Sequence, residues 1–311
     1  MGKKKSDPII TDRDRKLLLF IWKYRISTFQ TLRTVFFAQA KPSTAYDRLC
    51  CLRSGVYIRS AYLNGTHDLV WMLDKRGFEF LAERILPELT AKTYKPQSGY
   101  HDLLVMSALL GEWLLVQPSG VGLISEVQLR TTDVQGIPAA LKKDPGHYPD
   151  GIWMSSTGKE RKGIGLEVEI SGKTVDRYVQ TCSFYTSQLF FDHVIWIVMD
   201  SGHAKQILDA SEKYGIPRDG VHLFIGKRDF EKRIWQSHFL NQSMRHLSLS
   251  EFLNSKLASS NIHRHPVSYP VQGSMKGLQS LDESQSHPFL NFRIYQRSSG
   301  ACKVHLPAKI S

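Results

Sequence analysis

The chain has 311 residues, 41% hydrophobic and 11% aromatic, which supports a buried core and excludes a disordered chain. Its formal net charge of +12 favours a polyanionic partner, most often nucleic acid. Four cysteines are too few for a disulfide scaffold, and adjacent Cys50 and Cys51 fit no zinc spacing, so a reducing cytoplasm is expected.

The charge is uneven. Residues 1–95 hold 18 Lys and Arg against 9 Asp and Glu, residues 96–254 hold 16 against 18, and residues 255–311 hold 7 against 2. The positive charge therefore lies at the two ends. Residues 1–10 read as a basic leader whose lysines precede no apolar core, so no secretory signal is expected. No apolar run approaches the length of a bilayer span, so no membrane partner is expected either.

Residues 11–92 read as one domain. TDRDRKLLLFIWKYR (11–25) opens on Thr11 as an N-cap, with Leu17, Leu18, Ile21 and Trp22 at helical spacing. TFQTLRTVFF (28–37) fits a second helix, and Pro42 opens a third that ends at Gly55, with Ala45, Leu49 and Leu52 as its inner stripe. VYIRSAYL and DLVWMLDKRG around an Asn-Gly then read as a hairpin, and FEFLAERILPEL as a closing helix. Three helices and a hairpin follow the order of a winged helix-turn-helix, whose third helix enters the major groove while the hairpin contacts the flanking backbone. Its outer face offers Ser43, Thr44, Tyr46, Asp47, Arg48 and Arg53, with Lys41, Arg59 and Lys75 in reach of phosphates. Double-stranded DNA is the expected partner. The alternative for such a domain is protein contact, including a homodimer.

TAKTYKPQSG (90–99) reads as a linker to a second domain, 100–254. A helix fits 100–116, and strands fit GLISEVQLR (122–130), YPDGIWMSS (148–156) and GIGLEVEIS (163–171). A helix over 174–189, an apolar strand over 193–200, a helix over 203–215 and a strand over 221–226 follow. The fold class expected is α+β to α/β: the winged helix, then a mixed sheet flanked by helices. Residues 255–311 are rich in Ser, Asn, His and Gln and read as a largely disordered basic tail.

Chemistry concentrates in YPDG and LEVEIS. Glu167 and Glu169 alternate with apolar residues and so share a strand face, and Asp150 on the neighbouring strand is placed to join them. Clustered carboxylates are costly unless a divalent cation or a proton is shared, so Asp150, Glu167 and Glu169 are candidate ligands for Mg²⁺ or Mn²⁺. The plain alternative is a solvent-facing polar strand.

This order resembles the PD-(D/E)XK nuclease-like superfamily. The resemblance implies that Asp150 and Glu167 match its two metal-binding acids, and that Glu169 stands on the lysine position. A carboxylate cannot supply that lysine's positive charge. Lys173, four residues on, completes the candidate catalytic set, while Lys162 lies on the preceding turn and Glu112 loosely matches an additional acid. The whole arrangement is similar to the replication-relaxation family, over about residues 11–200. PSTAYDRLCCLRSGVY, WMLDKRG, YHDLL, SEVQLR, YPDG, LEVEIS and RYVQTCSFY carry the likeness. It implies a plasmid or mobile-element setting and a DNA-binding protein acting in replication, mobilisation or transcriptional control. The alternative is a metal-dependent DNA endonuclease, and a more distant one is an adaptor that recruits a relaxase or replication protein. His101 matches a histidine of the family but is read here as a capping or packing residue.

Overall fold

The computed structural model describes residues 7–63, 69–86, 98–132, 134–141, 146–155, 162–216 and 221–257. The start of the basic leader, the Asn-Gly turn, most of the linker and the tail beyond 257 lie outside the described residues.

Helix α1 (Asp12–Tyr24) starts on a capping box, in which Thr11 accepts the Asp14 N–H and Asp14 accepts the Thr11 N–H. Helices α2 (Phe29–Phe36) and α3 (Pro42–Ser54) follow as expected. Strands β1 (Ser27–Thr28), β2 (Ile58–Tyr62) and β3 (Leu69–Leu73) form an antiparallel sheet in the order β1-β3-β2. The short β1 was not anticipated, because two residues carry no periodicity. Helix α4 (Lys75–Arg84) begins before the expected Phe78, because Asp74 caps it. Gly77 permits this start: a Cβ there would lie 2.0 Å from the Tyr57 carbonyl oxygen.

The second sheet has five strands in spatial order: β4 (Val121–Ser125), β5 (Gly151–Ser155), β6 (Gly163–Glu169), β7 (Phe191–Val198) and β8 (His222–Gly226). β4, β5 and β6 pair antiparallel, while β6, β7 and β8 pair parallel. The parallel connections run through α7 (Val175–Ser187) and α8 (Ser201–Lys213), since parallel neighbours need a crossover. Helix α5 (Gly99–Leu110) packs on β4, β5 and β6. Both faces of the sheet are buried. Leu166, Val168, Ile195 and Ile197 belong to the core that includes α5, whereas Val194, Trp196 and Val198 belong to the core under α7 and α8.

Three expectations are corrected. The segment 122–130 is half strand and half helix α6 (Glu126–Thr131), because Ser125 and Gln128 form a second capping box. Helix α5 stops at Leu110 rather than running to 116, because Gly111 takes φ +38° against the Trp235 ring. Helices α9 (Lys227–Arg233) and α10 (Leu249–Leu257) also cover the sheet, and α10 buries Phe252 and Leu253 and runs past the expected boundary at 254 to bury Leu257.

Helix α1 packs directly on α5 and α6. The α5-side core is continuous with that of α1, α3 and β3. Lys23 Nζ donates to the Leu123 carbonyl at 2.7 Å. Arg25 Nη1 donates to Glu126 Oε2 at 2.7 Å and lies 3.5 Å from Asp102 Oδ1, with all three side chains buried. Among the described residues no helix is long and apolar enough to cross a membrane.

Candidate functional site

Strand β6 is central and its residues are buried throughout. Leu166 and Val168 face α5, so Glu167 and Glu169 face α7 and α8. Both carboxylates are buried, which removes the solvent-edge alternative. Asp150 immediately precedes β5, where Gly151 pairs with Leu166, and this sets it beside Glu167. Its Oδ2 accepts the Val168 N–H at 2.8 Å.

Each acid has a cationic partner from the protein itself. His101 Nε2, from the first turn of α5, lies 3.2 Å from Asp150 Oδ2. His147 Nε2 lies 2.7 Å from Glu167 Oε1, which also accepts the Tyr185 hydroxyl at 2.5 Å. Lys173 Nζ lies 2.5 Å from Glu169 Oε2. Glu126 accepts from Arg25 and, at 2.6 Å, from Arg130 Nε. A cleft of about 280 Å³ lies among them, lined by His101, Glu126, Arg130, His147, Asp150 and Glu167 together with Lys173.

The protonation states follow. Burial opposes a charge on His101, but Asp150 and Asp102 outweigh it and hold the imidazole at about 10. Burial likewise opposes His147 and Lys173, and the facing carboxylates, Glu167 and Glu169 foremost, raise both. Burial would raise Asp150, yet His101 and the Val168 amide hold it below its ordinary value. Glu169 is raised by burial, only partly offset by Lys173. At neutral pH His101 is therefore an imidazolium facing Asp150.

No family model, curated protein or solved structure matches the chain. The site has to be read from its own donor set.

That donor set does not fit a divalent cation in this arrangement. Among the described residues no three His, Cys, Asp or Glu side chains are grouped to hold a metal ion. Asp150 and Glu167 line the cleft, and Glu169 shares the β6 face of Glu167. Mg²⁺ or Mn²⁺ would have to displace His101 from Asp150, His147 from Glu167 and Lys173 from Glu169. Lys173 reaches back to the acids from just before α7, as its spacing suggested. Lys162 pairs with Asp192 and lies elsewhere. Glu112 accepts from Gln236 and Ser250, so the loosely matched additional acid is a structural one.

His101 is corrected: Ser98 caps the helix, and His101 points its ring into the cleft. His147, Tyr185, Glu126 and Arg25 were missed. His147 stands three residues before Asp150, a visible signal. Glu126 became legible only once SEVQ was read as a capping box. Nothing local marks Arg25 or Tyr185.

Around α3 and the three-stranded sheet, Lys41, Ser43, Thr44, Asp47, Arg59 and Lys75 are exposed, and Tyr46 is 38% exposed against Phe29 and Trp71. Arg48 does not project outward. Its Nε and Nη2 clasp buried Asp14 at 3.0 and 2.5 Å, and Nη2 also donates to the Ile9 carbonyl. Arg53 turns toward β2, donating to Ser60 Oγ at 3.0 Å beside the Trp71 ring. A buried carboxylate and an indole face are stronger partners than water, which is why both arginines leave the outer face.

Proposed function

We propose that the protein binds double-stranded DNA through α3, as a winged helix-turn-helix protein of a plasmid or mobile element acting in replication, mobilisation or transcription. One observation carries this. α3 buries Ala45, Leu49 and Leu52 and leaves Ser43, Thr44 and Asp47 outward, with Lys41 at its start and Arg59 on the adjoining β2. Short polar side chains suit base edges, and the flanking cations suit phosphates. A mobility-shift titration of the full chain tests it. Binding to duplex DNA that weakens with salt is expected, and no affinity at low salt sinks the proposal.

A second reading, a DNA endonuclease, is favoured by Lys173 lining the same cleft as Asp150 and Glu167. Nicking of supercoiled plasmid with Mg²⁺ or Mn²⁺, abolished by Asp150→Ala, would establish it. Glu169→Lys is a poor test here, because it sets a second ammonium against Lys173 in a buried position.

A further inference from the structure

The carboxylates of the cleft form its floor and each faces a basic side chain, whereas the side chains at its mouth are cations. Glu126, Asp150 and Glu167 are buried. Above them Arg130 and Lys173 are partly exposed, at 38% and 41% of their side chains, and Arg177 is exposed. Arg130 is tied to Glu126 and stacks on Tyr148 at 4.1 Å, and Lys173 is tied to Glu169. Arg177 makes no ion pair among the described residues, so its guanidinium is the surplus charge of the cleft. The geometry points to a phosphate-binding pocket that takes a backbone phosphate of a nucleic-acid strand between Arg177, Lys173 and Arg130 without a divalent cation.

Three features select this ligand. The floor already holds its own cations, so a metal brings no necessary charge while an anion meets Arg177 unopposed. The cleft, about 280 Å³, lies just below the usual range for small-molecule sites, about 300–1,000 Å³, and suits a phosphate with a sugar more than a larger metabolite. The Arg130–Tyr148 stack beside the phosphate position offers a platform for a base. The inference rests on the nucleic-acid reading above but uses a separate surface from α3.

The test is fluorescence anisotropy of a short labelled single strand with the full chain in EDTA. Binding is expected to persist in EDTA, to weaken about tenfold in Arg177→Ala and to recover largely in Arg177→Lys. Arg59→Ala is expected to leave it unchanged while lowering duplex affinity. Arg177 is exposed, so a folding defect is not anticipated, and matching thermal midpoints check this. Unchanged affinity in Arg177→Ala, a tenfold gain on adding Mg²⁺, or equal competition by inorganic phosphate overturns the inference. Loss of duplex binding with the strand still bound in the cleft would remove the α3 reading alone.

Discussion

Arg25→Ala is expected to destabilise the whole chain. The lost guanidinium donates to Glu126 at 2.7 Å and lies 3.5 Å from Asp102, with its side chain 8% exposed. Removing one member of a buried ion pair costs about 3–5 kcal/mol, because the partner is left charged and undersolvated. Glu126 keeps Arg130, and Asp102 keeps His101 Nδ1 at 3.6 Å, so the lower end, about 3 kcal/mol, applies. Arg25 also has φ 62°, a conformation in which a Cβ costs about 1 kcal/mol. Arg25→Gly loses the same side chain but relieves that strain, so it should be about 1 kcal/mol less destabilising than Arg25→Ala. Urea unfolding followed by tryptophan fluorescence and far-ultraviolet dichroism measures both. The two probes should share one transition, since one core spans α1, α5 and β3. Arg25→Ala within about 1 kcal/mol of wild type, or Arg25→Gly worse than Arg25→Ala, refutes the reasoning.

Arg48→Ala should cost about 3 kcal/mol by uncovering buried Asp14, whereas Arg59→Ala should leave the melting midpoint alone and lower the salt slope of duplex binding by about one. Gly111→Ala should destabilise by about 3 kcal/mol or more, since its Cβ would meet the Trp235 ring at 2.0 Å at a positive φ, and a thermal melt reads this. The pH dependence follows from His101. Its folded pKa is raised, so its contribution is complete below 6.5 and is lost as pH rises through about 10. Lys23, lowered to about 8 by burial, has the opposite slope between 8 and 10.5, so the difference between wild type and His101→Gln is the quantity to follow.

Most elements were legible because their signals are local. Thr11 with Asp14 marks the start of α1, and Pro42 that of α3. The alternation of β6 placed Glu167 and Glu169 on one face, where they are found. What was illegible depends on partners far along the chain. Gly111 reads as a tolerable helix residue until Trp235 arrives against it. Arg48 carries the pattern of an outward helix position and is recruited by Asp14, 34 residues away. The partners of the acids were illegible for the same reason. A run of acids in sequence gives no sign that His101, His147 and Lys173 are brought to them from three other places.

The docking of α1 has a consequence for how the chain is made. The bond from Lys23 to Leu123 spans 100 residues and that from Arg25 to Glu126 spans 101. On a ribosome adding about 5–20 residues per second, α1 waits roughly 5–20 s before its anchoring carboxylate is synthesised. For that interval the nascent segment carries the apolar face of α1 without the α6 end of its support. A pause between codons 30 and 120 should therefore increase chaperone capture of the nascent chain, and the same pause placed after codon 130 should not.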